Sequence, residues 1–405
     1  MKSRRADVVV AGGGTAGLAA AVSAARLGAE TLLVERRGGL GGMASAALVH
    51  TLCGLYRLRS DETQPLEFAN PGFPKEFASR LLAIGGARNP VRMGKLDVMP
   101  HQPTALAFLA DRITGEIPNL SVLLHSDLTH VLSDGGVVRS VRIHCRGNTR
   151  EVEVKALVDA SGDAEAAALA GAGFECAPAE RLQRPAYIFA IGGAAPDSVC
   201  GEARLVLAHA ISSAVSSGAL SAEALGVSFR GGTTNTEVWA TLDLQSDPYD
   251  PCSPECLSLI EKNGRRMAFE IVGFLRANAA GFQAAYLAST PAQAGVRESR
   301  RVTGRDRLTA EDVLEGKACV DPAAFTSWPL ELRENARGPR FKFPIDNRPA
   351  GISLGCLQAL GFDNLFVAGR CISSTHEAQA SIRVTGTCMA TGEAAGKAAA
   401  NHRPK

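Results

Sequence analysis

The pattern of apolar and polar positions predicts strands alternating with helices. Asp7-Val8-Val9-Val10-Ala11 has the continuous branched apolar character of a strand buried on both faces, and it ends at Gly12-Gly13-Gly14-Thr15-Ala16-Gly17. An alanine-rich helical stretch follows and stops near Gly28, after which Thr31-Leu32-Leu33-Val34 reads as a second strand. Residues 122–130 and 137–145, separated by Ser133-Asp134-Gly135-Gly136, read as a hairpin inserted into this unit. Ala156-Leu157-Val158-Asp159 is a further strand that runs into the small residues Ala160, Ser161 and Gly162. Near the carboxy end, the apolar run over residues 364–368 is a short strand stopped by Gly369 and Arg370, and the small residues of 385–397 predict a tightly packed helix. Between these ends a helix is predicted over residues 257–278, and another starts after Leu308 with Thr309 as its cap. This order of elements predicts an α/β fold.

Composition keeps the chain among globular proteins. Hydrophobic residues make up 46% and charged residues 21% of 405 positions, with 42 glycines, so the chain can bury a large core and is neither disordered nor fibrous. Its length exceeds that of one ordinary domain, which predicts a main domain and a second, interrupted one. Lys and Arg number 43 against 41 Asp and Glu, a net charge of +2 that offers no general attraction for nucleic acid or an anionic membrane. No apolar run is long enough to span a bilayer. The basic start at residues 1–5 passes directly into the glycine turn without a cleavage site, so no signal peptide is expected and the expected compartment is the cytoplasm. Scattered cysteines fit reduced thiols there. The nearest pair, Cys252 and Cys256, lies in Pro251-Cys252-Ser253-Pro254-Glu255-Cys256, where the two prolines favour a loop; a metal would need ligands from elsewhere, and no metal site is expected.

The first glycine stretch carries chemistry. Gly12 permits a tight bend, Gly14 lets backbone approach a pyrophosphate, and Gly17 allows close packing of helix on strand. The free amides of the helix start, at Thr15 and Ala16, face the anion. Glu35 ends the second strand about twenty residues beyond the turn, where a carboxylate accepts a hydrogen bond from a ribose 2′-hydroxyl. The motif suits NAD and FAD alike. A second stretch, Gly38-Gly39-Leu40-Gly41-Gly42-Met43-Ala44-Ser45, follows Glu35 and lets backbone lie against a flat, extended ligand, which favours FAD.

Three more blocks carry a resemblance. Asp159-Ala160-Ser161-Gly162-Asp163 is similar to an Asp-Ala-Thr-Gly-Asp segment, with Ser161 in place of Thr, and Arg297-Glu298-Ser299-Arg300-Arg301 resembles a second block of the same family. The series Ala368-Gly369-Arg370-Cys371-Ile372-Ser373, Thr375-His376-Glu377-Ala378 and Ser381-Ile382-Arg383-Val384 looks like its carboxy-terminal signature. The family is that of the FAD-dependent oxidoreductases, two-dinucleotide-binding-domain flavoproteins distantly akin to the fumarate reductase and succinate dehydrogenase flavoproteins. The resemblance implies FAD in a Rossmann-like domain of the glutathione-reductase type, with a three-layer ββα architecture and an inserted, discontinuous α+β substrate domain. The expected bounds are 1–60, 100–180 and 345–405 for the FAD-binding domain, and 61–99 and 181–344 for the substrate domain. The resemblance also implies that Gly369 and Arg370 lie near the ribityl-phosphate. The helix start at residues 385–387 would face the pyrimidine edge of the ring and stabilise negative charge on the reduced flavin. Expected cofactor-binding residues are Gly12, Gly14, Thr15, Ala16, Gly17, Glu35, Arg36, Gly41, Gly42 and Met43; Leu128, Ala160, Ser161, Gly162 and Asp163; and Gly369, Arg370, Ser381, Ile382 and Thr387.

Candidates for catalysis come from the same blocks. One of Arg297, Arg300 and Arg301 is expected to anchor a substrate carboxylate through its planar fork, the alternative being an ion pair with an acid such as Glu298. His376 is the leading acid/base candidate because imidazole exchanges protons near neutral pH, the alternative being a structural hydrogen bond. His50, just after the second glycine stretch, is placed to approach the flavin from its other side. Some related flavoproteins attach FAD through a histidine, but the surroundings of His50 do not match theirs, so non-covalent binding is expected. His101, beside Gln102 and Pro103, reads as a residue at a helix start, and Tyr56 and Tyr187 as core residues.

The expected activity is hydride transfer between flavin N5 and a small organic substrate, carboxylate-bearing on the strength of the arginine block, in the dehydrogenase or reductase direction. Two alternatives stand beside it. One is a flavin-dependent monooxygenase, disfavoured because a second clear GxGxxG is missing. The other is a flavoprotein component of a larger complex. Expected partners are a small-molecule substrate, an unidentified electron donor or acceptor, and a second copy of the chain, with neither nucleic acid nor membrane.

Overall fold

The first strand, Arg4–Ala11, is the hub of a seven-stranded sheet. It pairs in parallel with Thr31–Val34 on one side and with Asn148–Asp159 on the other, and Leu120–Leu123 extends the parallel set beyond Thr31–Val34. Val8, Val9 and Val10 have no exposed surface, as expected of a parallel strand covered on both faces. The strand Leu365–Val367 returns from the far end of the chain and pairs in parallel with the last residues of Asn148–Asp159. These are elements of a computed structural model that describes residues 4–233, 237–244, 249–335 and 338–403. Residues 1–3 of the basic start and Pro248 lie outside the described residues.

The expected hairpin is part of a three-stranded antiparallel meander. Asp127–Asp134 pairs with Val137–Cys145, which pairs with the first half of Asn148–Asp159. Residues 122–130, read as one strand, are in fact two. His125 takes a left-handed conformation with φ of 52°, and its amide donates to the Arg37 carbonyl rather than into a ladder. The chain turns there, leaving Leu120–Leu123 to the parallel sheet and Asp127–Asp134 to the meander. The architecture is Rossmann-like α/β, with parallel sheet, meander and helices as its layers.

On one face of the parallel strands the first helix, Thr15–Arg26, packs against the last, Thr385–Ala400. Their interface is made of small residues. A Cβ on Gly392 would lie 2.1 Å from the Ala16 carbonyl oxygen, and one on Gly396 would lie 2.2 Å from that of Ala20. Glycine inside a helix costs about 1 kcal/mol relative to alanine, so its use here reflects a backbone-to-backbone approach that no larger residue permits. Leu18, Val22, Leu33 and Met389 seal the same core with no exposed surface.

A second sheet is antiparallel, with strands in the order Val227–Gly231, Glu237–Asp243, Ala186–Gly192 and Tyr286–Ser289. Tyr187, Phe189 and Ile191 from this sheet share a core with Leu207 and Ile211 of one helix and with Met267, Ile271 and Leu275 of another. The latter helix, Pro254–Asn278, begins three residues before the predicted start: the Ser253 hydroxyl accepts from the Cys256 amide at 3.2 Å, and proline is well suited to a first helical position. Residues 177–294 supply this core. The expected substrate range 181–344 reaches further, yet Val302, Leu308, Val313, Ala324 and Leu330 pack beneath the large sheet with Val9 and Leu157. From the expected range 61–99, Phe73, Phe77 and Leu81 pack with the first helix. Thr309 caps Ala310–Glu315 in a reciprocal capping box with Asp312. Among the described residues no helix is long and apolar enough to cross a membrane.

The helix contact yields a prediction. Gly396→Ala is expected to lower the unfolding free energy by about 1–3 kcal/mol through overpacking, despite the better helix propensity of alanine. Denaturant unfolding followed by circular dichroism measures this, and an unchanged midpoint would show that the helices do not need their close approach.

Candidate functional site

A cleft of about 500 Å³ runs from the glycine turn to the start of the last helix, between the large sheet and the second unit. At one end Gly12, at φ of +96°, makes the bend that the sequence motif requires. Gly17 packs behind it: a Cβ there would meet the Gly12 carbonyl oxygen at 1.8 Å. The first helix has no side-chain cap at Gly14, so its opening amides remain available to a ligand. Thr15 and Ala16 line the cleft beside them.

Glu35 lies buried in the wall. Its carboxylate accepts from the Gly13 amide at 2.7 Å and from the Arg37 amide at 2.8 Å, which fixes the carboxylate where the second strand ends. The second glycine stretch is drawn against the first, the Gly41 amide donating to the Gly13 carbonyl at 2.8 Å. Gly42, Met43 and Ala44 thereby line the cleft, while Gly41 stands behind them in a bridge to Gly14. Arg36 pairs with Glu165 on the rim, near Leu128.

Ala160, Ser161, Gly162 and Asp163 form the wall beside the glycine turn, facing Gly369 and Arg370. Asp163 pairs with Arg370 and accepts from the Ser299 hydroxyl at 2.6 Å. Burial favours the neutral carboxyl of Asp163, but Arg370 and Ser299 outweigh it and hold the group below the usual carboxylate range. Arg370 Nε is buried without a hydrogen-bond partner among the described residues. At the other end stand Arg383, Thr385 and Cys388. The Cys388 thiol donates to the Arg383 carbonyl at 3.2 Å, and burial pushes it up to about 12.

Several expected site residues lie elsewhere. His376 is not on the cleft. Its Nδ1 lies 2.8 Å from Glu298 and its Nε2 3.1 Å from Glu334, so both ring nitrogens are committed to carboxylates. Burial opposes its charge, but the two carboxylates prevail and raise its pKa. Arg301 is closed in an ion pair with Glu298 at 2.5 Å, and Arg297 in one with Asp243 at 2.7 Å. Of the three arginines only Arg300 reaches the cleft, beside the glycine turn, where its Nε donates to the Asp163 carbonyl at 2.7 Å. His50 lies behind the lining, stacked on Trp239 with ring centroids 5.0 Å apart. Ser381, Ile382 and Thr387 are fully buried outside the lining, and the Ser381 hydroxyl donates to the Trp328 carbonyl at 2.5 Å. His101, Tyr56 and Tyr187 are buried as well.

Other lining residues escaped the sequence reading. Pro254, Leu257 and Glu261 recur at helical spacing on one face of Pro254–Asn278 and close the cleft together with Pro251, Cys252, Gln293 and Ala294. That spacing is visible in the sequence, but nothing there shows which face of the helix meets the other domain. Arg383 did carry a signal, as the one cation in the Ser-Ile-Arg-Val block.

A two-ended glycine cleft closed by a carboxy-terminal strand and helix agrees with what comparison of the whole sequence finds. The profile of the FAD dependent oxidoreductases matches residues 7–403. The chain belongs to that family. FAD is therefore its cofactor, and the residues fit it: an uncapped helix start and glycine backbone for the pyrophosphate, a buried acid for the ribose, and a buried guanidinium with an unused donor at Arg370. Among solved structures, this FAD-dependent oxidoreductase is similar to a geranylgeranyl bacteriochlorophyll reductase-like protein from Thermoplasma acidophilum, at 13% identity and a TM-score of 0.46 over 98% of this chain and 77% of that one. It is also similar to a p-nitrophenol 4-monooxygenase from Pseudomonas putida, at 12% identity and a TM-score of 0.43 over 76% and 70% of the respective chains. No curated protein matches the sequence.

Two outcomes are expected of this site. Glu35→Ala should weaken FAD binding roughly 10- to 100-fold, corresponding to the about 1.5–3 kcal/mol of a hydrogen bond to a charged group; titration of the apoprotein with FAD measures it. His376→Gln should leave turnover intact and alter stability with pH. Because the folded pKa of His376 lies above its ordinary 6.5, its contribution is fully present below pH 6.5 and fades as pH rises through the raised value. The stability gap between the two proteins should thus narrow from mildly acidic to alkaline pH, and a pH-independent gap would contradict the pairing.

Proposed function

We propose that this protein transfers hydride between FAD and a small organic substrate, working as a dehydrogenase or reductase. The observation that carries this reading is the far end of the cleft, where the amino end of the last helix stands beside Arg383. Positive potential there favours negative charge in a ligand that extends from the glycine turn. Bound FAD would supply the two-electron chemistry, and the chain would supply position, charge and exclusion of water. Gly12, Gly14 and Arg370 would hold the pyrophosphate end, Glu35 the ribose, and Met43 and Ala44 the flat face of the ring.

The cysteines favour direct transfer over a thiol relay. Cys252 and Cys388 line the cleft as free thiols. Burial raises both above the ordinary thiol value, Cys388 to about 12, so neither is poised as a thiolate. His50 lies behind the lining, which supports non-covalent retention of FAD.

The test is anaerobic. The purified yellow protein is mixed with a panel of small acids, alcohols and amines, and the photoreduced protein with the corresponding oxidised or unsaturated compounds. At least one class is expected to bleach the oxidised protein or restore colour to the reduced one. Incorporation of an oxygen atom from O2 into product, without either anaerobic change, would replace this reading by a monooxygenase.

A further inference from the structure

Successive side chains of residues 297–301 leave the backbone in different directions. Arg297 goes to Asp243 of the second sheet at 2.7 Å and Arg301 to Glu298 at 2.5 Å, so each of these guanidiniums has an acid. Ser299 and Arg300 turn instead to the loop at residues 160–163. The Ser299 hydroxyl donates to Asp163 Oδ1 at 2.6 Å, and Arg300 Nε donates to the Asp163 carbonyl at 2.7 Å. That loop is the immediate neighbour of the glycine turn, since a Cβ on Gly12 would lie 2.6 Å from the Ala160 carbonyl oxygen. Arg300 thereby lines the cleft in company with Gly12, Gly14 and Arg370.

This guanidinium is held in place without the use of its outer edge. Its central carbon lies over the Phe174 ring, 5.4 Å from the centroid, within reach of a cation–π contact, and Phe174 is itself placed by antiparallel pairing with Val302. With Nε on the Asp163 carbonyl and one face on the ring, the orientation of the group is set. Its two terminal nitrogens have no hydrogen-bond or ion-pair partner among the described residues, and neither is sealed from solvent. The other arginines at this end are different. Arg36 pairs with Glu165, Arg37 lies 3.6 Å from Glu35, and Arg370 pairs with Asp163, whose Oδ1 also accepts from Ser299. One cation is therefore left over, beside a turn whose open backbone amides already favour an anion.

We propose that Arg300 is a ligand of the FAD diphosphate and not an anchor for substrate. Its paired terminal N–H groups match two phosphate oxygens, the glycine turn and the start of the first helix supply backbone amides, and Arg370 adds its unused Nε. Asp163 neutralises Arg370, so Arg300 is the side chain that brings uncompensated positive charge to a doubly charged group. Its place at the glycine turn, rather than beside Thr385 at the far end, argues for phosphate over a substrate carboxylate. The assignment requires FAD as the cofactor but nothing of the hydride-transfer reading.

The full chain, freed of FAD, is titrated calorimetrically over a range of salt concentrations with FAD and with ADP, which keeps the diphosphate and lacks the flavin. Arg300→Met should weaken both ligands by the same factor, roughly 10- to 100-fold for a hydrogen-bonded charge. It should also make binding less sensitive to salt, because one cationic contact is gone. Arg300→Lys, which keeps the charge but not the fork, should bind with intermediate affinity and retain the wild-type salt dependence. Wild-type affinity of Arg300→Met for FAD and ADP overturns the assignment, as does a loss of affinity with unchanged salt dependence, the mark of a purely structural role. Should Arg300→Met fail to fold, as judged by circular dichroism, Arg300→Lys decides, since full affinity without the fork overturns a paired contact. A raised Michaelis constant for substrate at undiminished FAD affinity would return Arg300 to the substrate. The two readings fail separately: a panel in which no compound exchanges electrons with the flavin sinks hydride transfer and leaves these affinities to judge Arg300.

Discussion

The close approach of the first and last helices is the constraint on which the site depends. Gly392 and Gly396 bring the last helix within backbone distance of Ala16 and Ala20, and this sets where Thr385, Arg383 and Cys388 stand relative to the glycine turn. Neither end of the chain makes the cleft alone. The strand Leu365–Val367 completes the arrangement by taking the place beside Leu157–Asp159 that the meander leaves free, so Gly369 and Arg370 emerge facing Asp163. Helix contact and strand pairing thus act together, one fixing depth and the other register.

Buried charge in this protein is held in connected sets. Arg301 with Glu298, His376 with Glu298 and Glu334, and Arg297 with Asp243 are closed sets in which each donor has an acceptor. Removing one partner of such a set typically costs about 3–5 kcal/mol, because the other charge is left buried and alone. Glu298, through Arg301 and His376, ties residues 298–301 to the segment that follows Leu365–Val367, and Arg297, through Asp243, ties them to the second sheet; the role of these pairs is mechanical. Arg333 joins two carboxylates into a larger set, reaching Asp243 at 2.8 Å and Glu331 at 2.8 Å, with Arg383 of the cleft wall 3.9 Å from Glu331.

The glycine turn, Glu35 and the small-residue wall at residues 160–163 were legible in the sequence because their function is performed by backbone, and backbone demands leave a residue-type trace. Glycine appears where a Cβ would collide, and an acid where a strand must end. The helix Pro254–Asn278 was legible for a similar local reason, except at its start, where the Ser253 cap and Pro254 carry it three residues further than its apolar pattern. Side chains that act across long distances in sequence were not. His376 sits in a conspicuous motif, yet its partners Glu298 and Glu334 are fixed only by folding. Arg300 and Arg301 are adjacent in sequence, but extended backbone sends one to the cleft and the other to Glu298. The break at His125 was missed because a single residue with positive φ separates two extended stretches, and the polar pair Ser126-Asp127 that follows it was read as part of one strand.

The contact between the two ends of the chain also bears on how the protein comes into being. The alanine-rich first helix leaves the ribosome with its partner still some 370 residues away, which at about 5–20 residues per second means roughly 20–80 s before the partner exists. Throughout that interval its sticky inner stripe has nothing native to cover it, and the nucleotide-holding half can only hover in a loosely closed state. Long-range closure of this sort is slow and exposes aggregation-prone surface. A newborn copy of this enzyme would therefore lean on chaperones until its last helix has emerged and closed against the first.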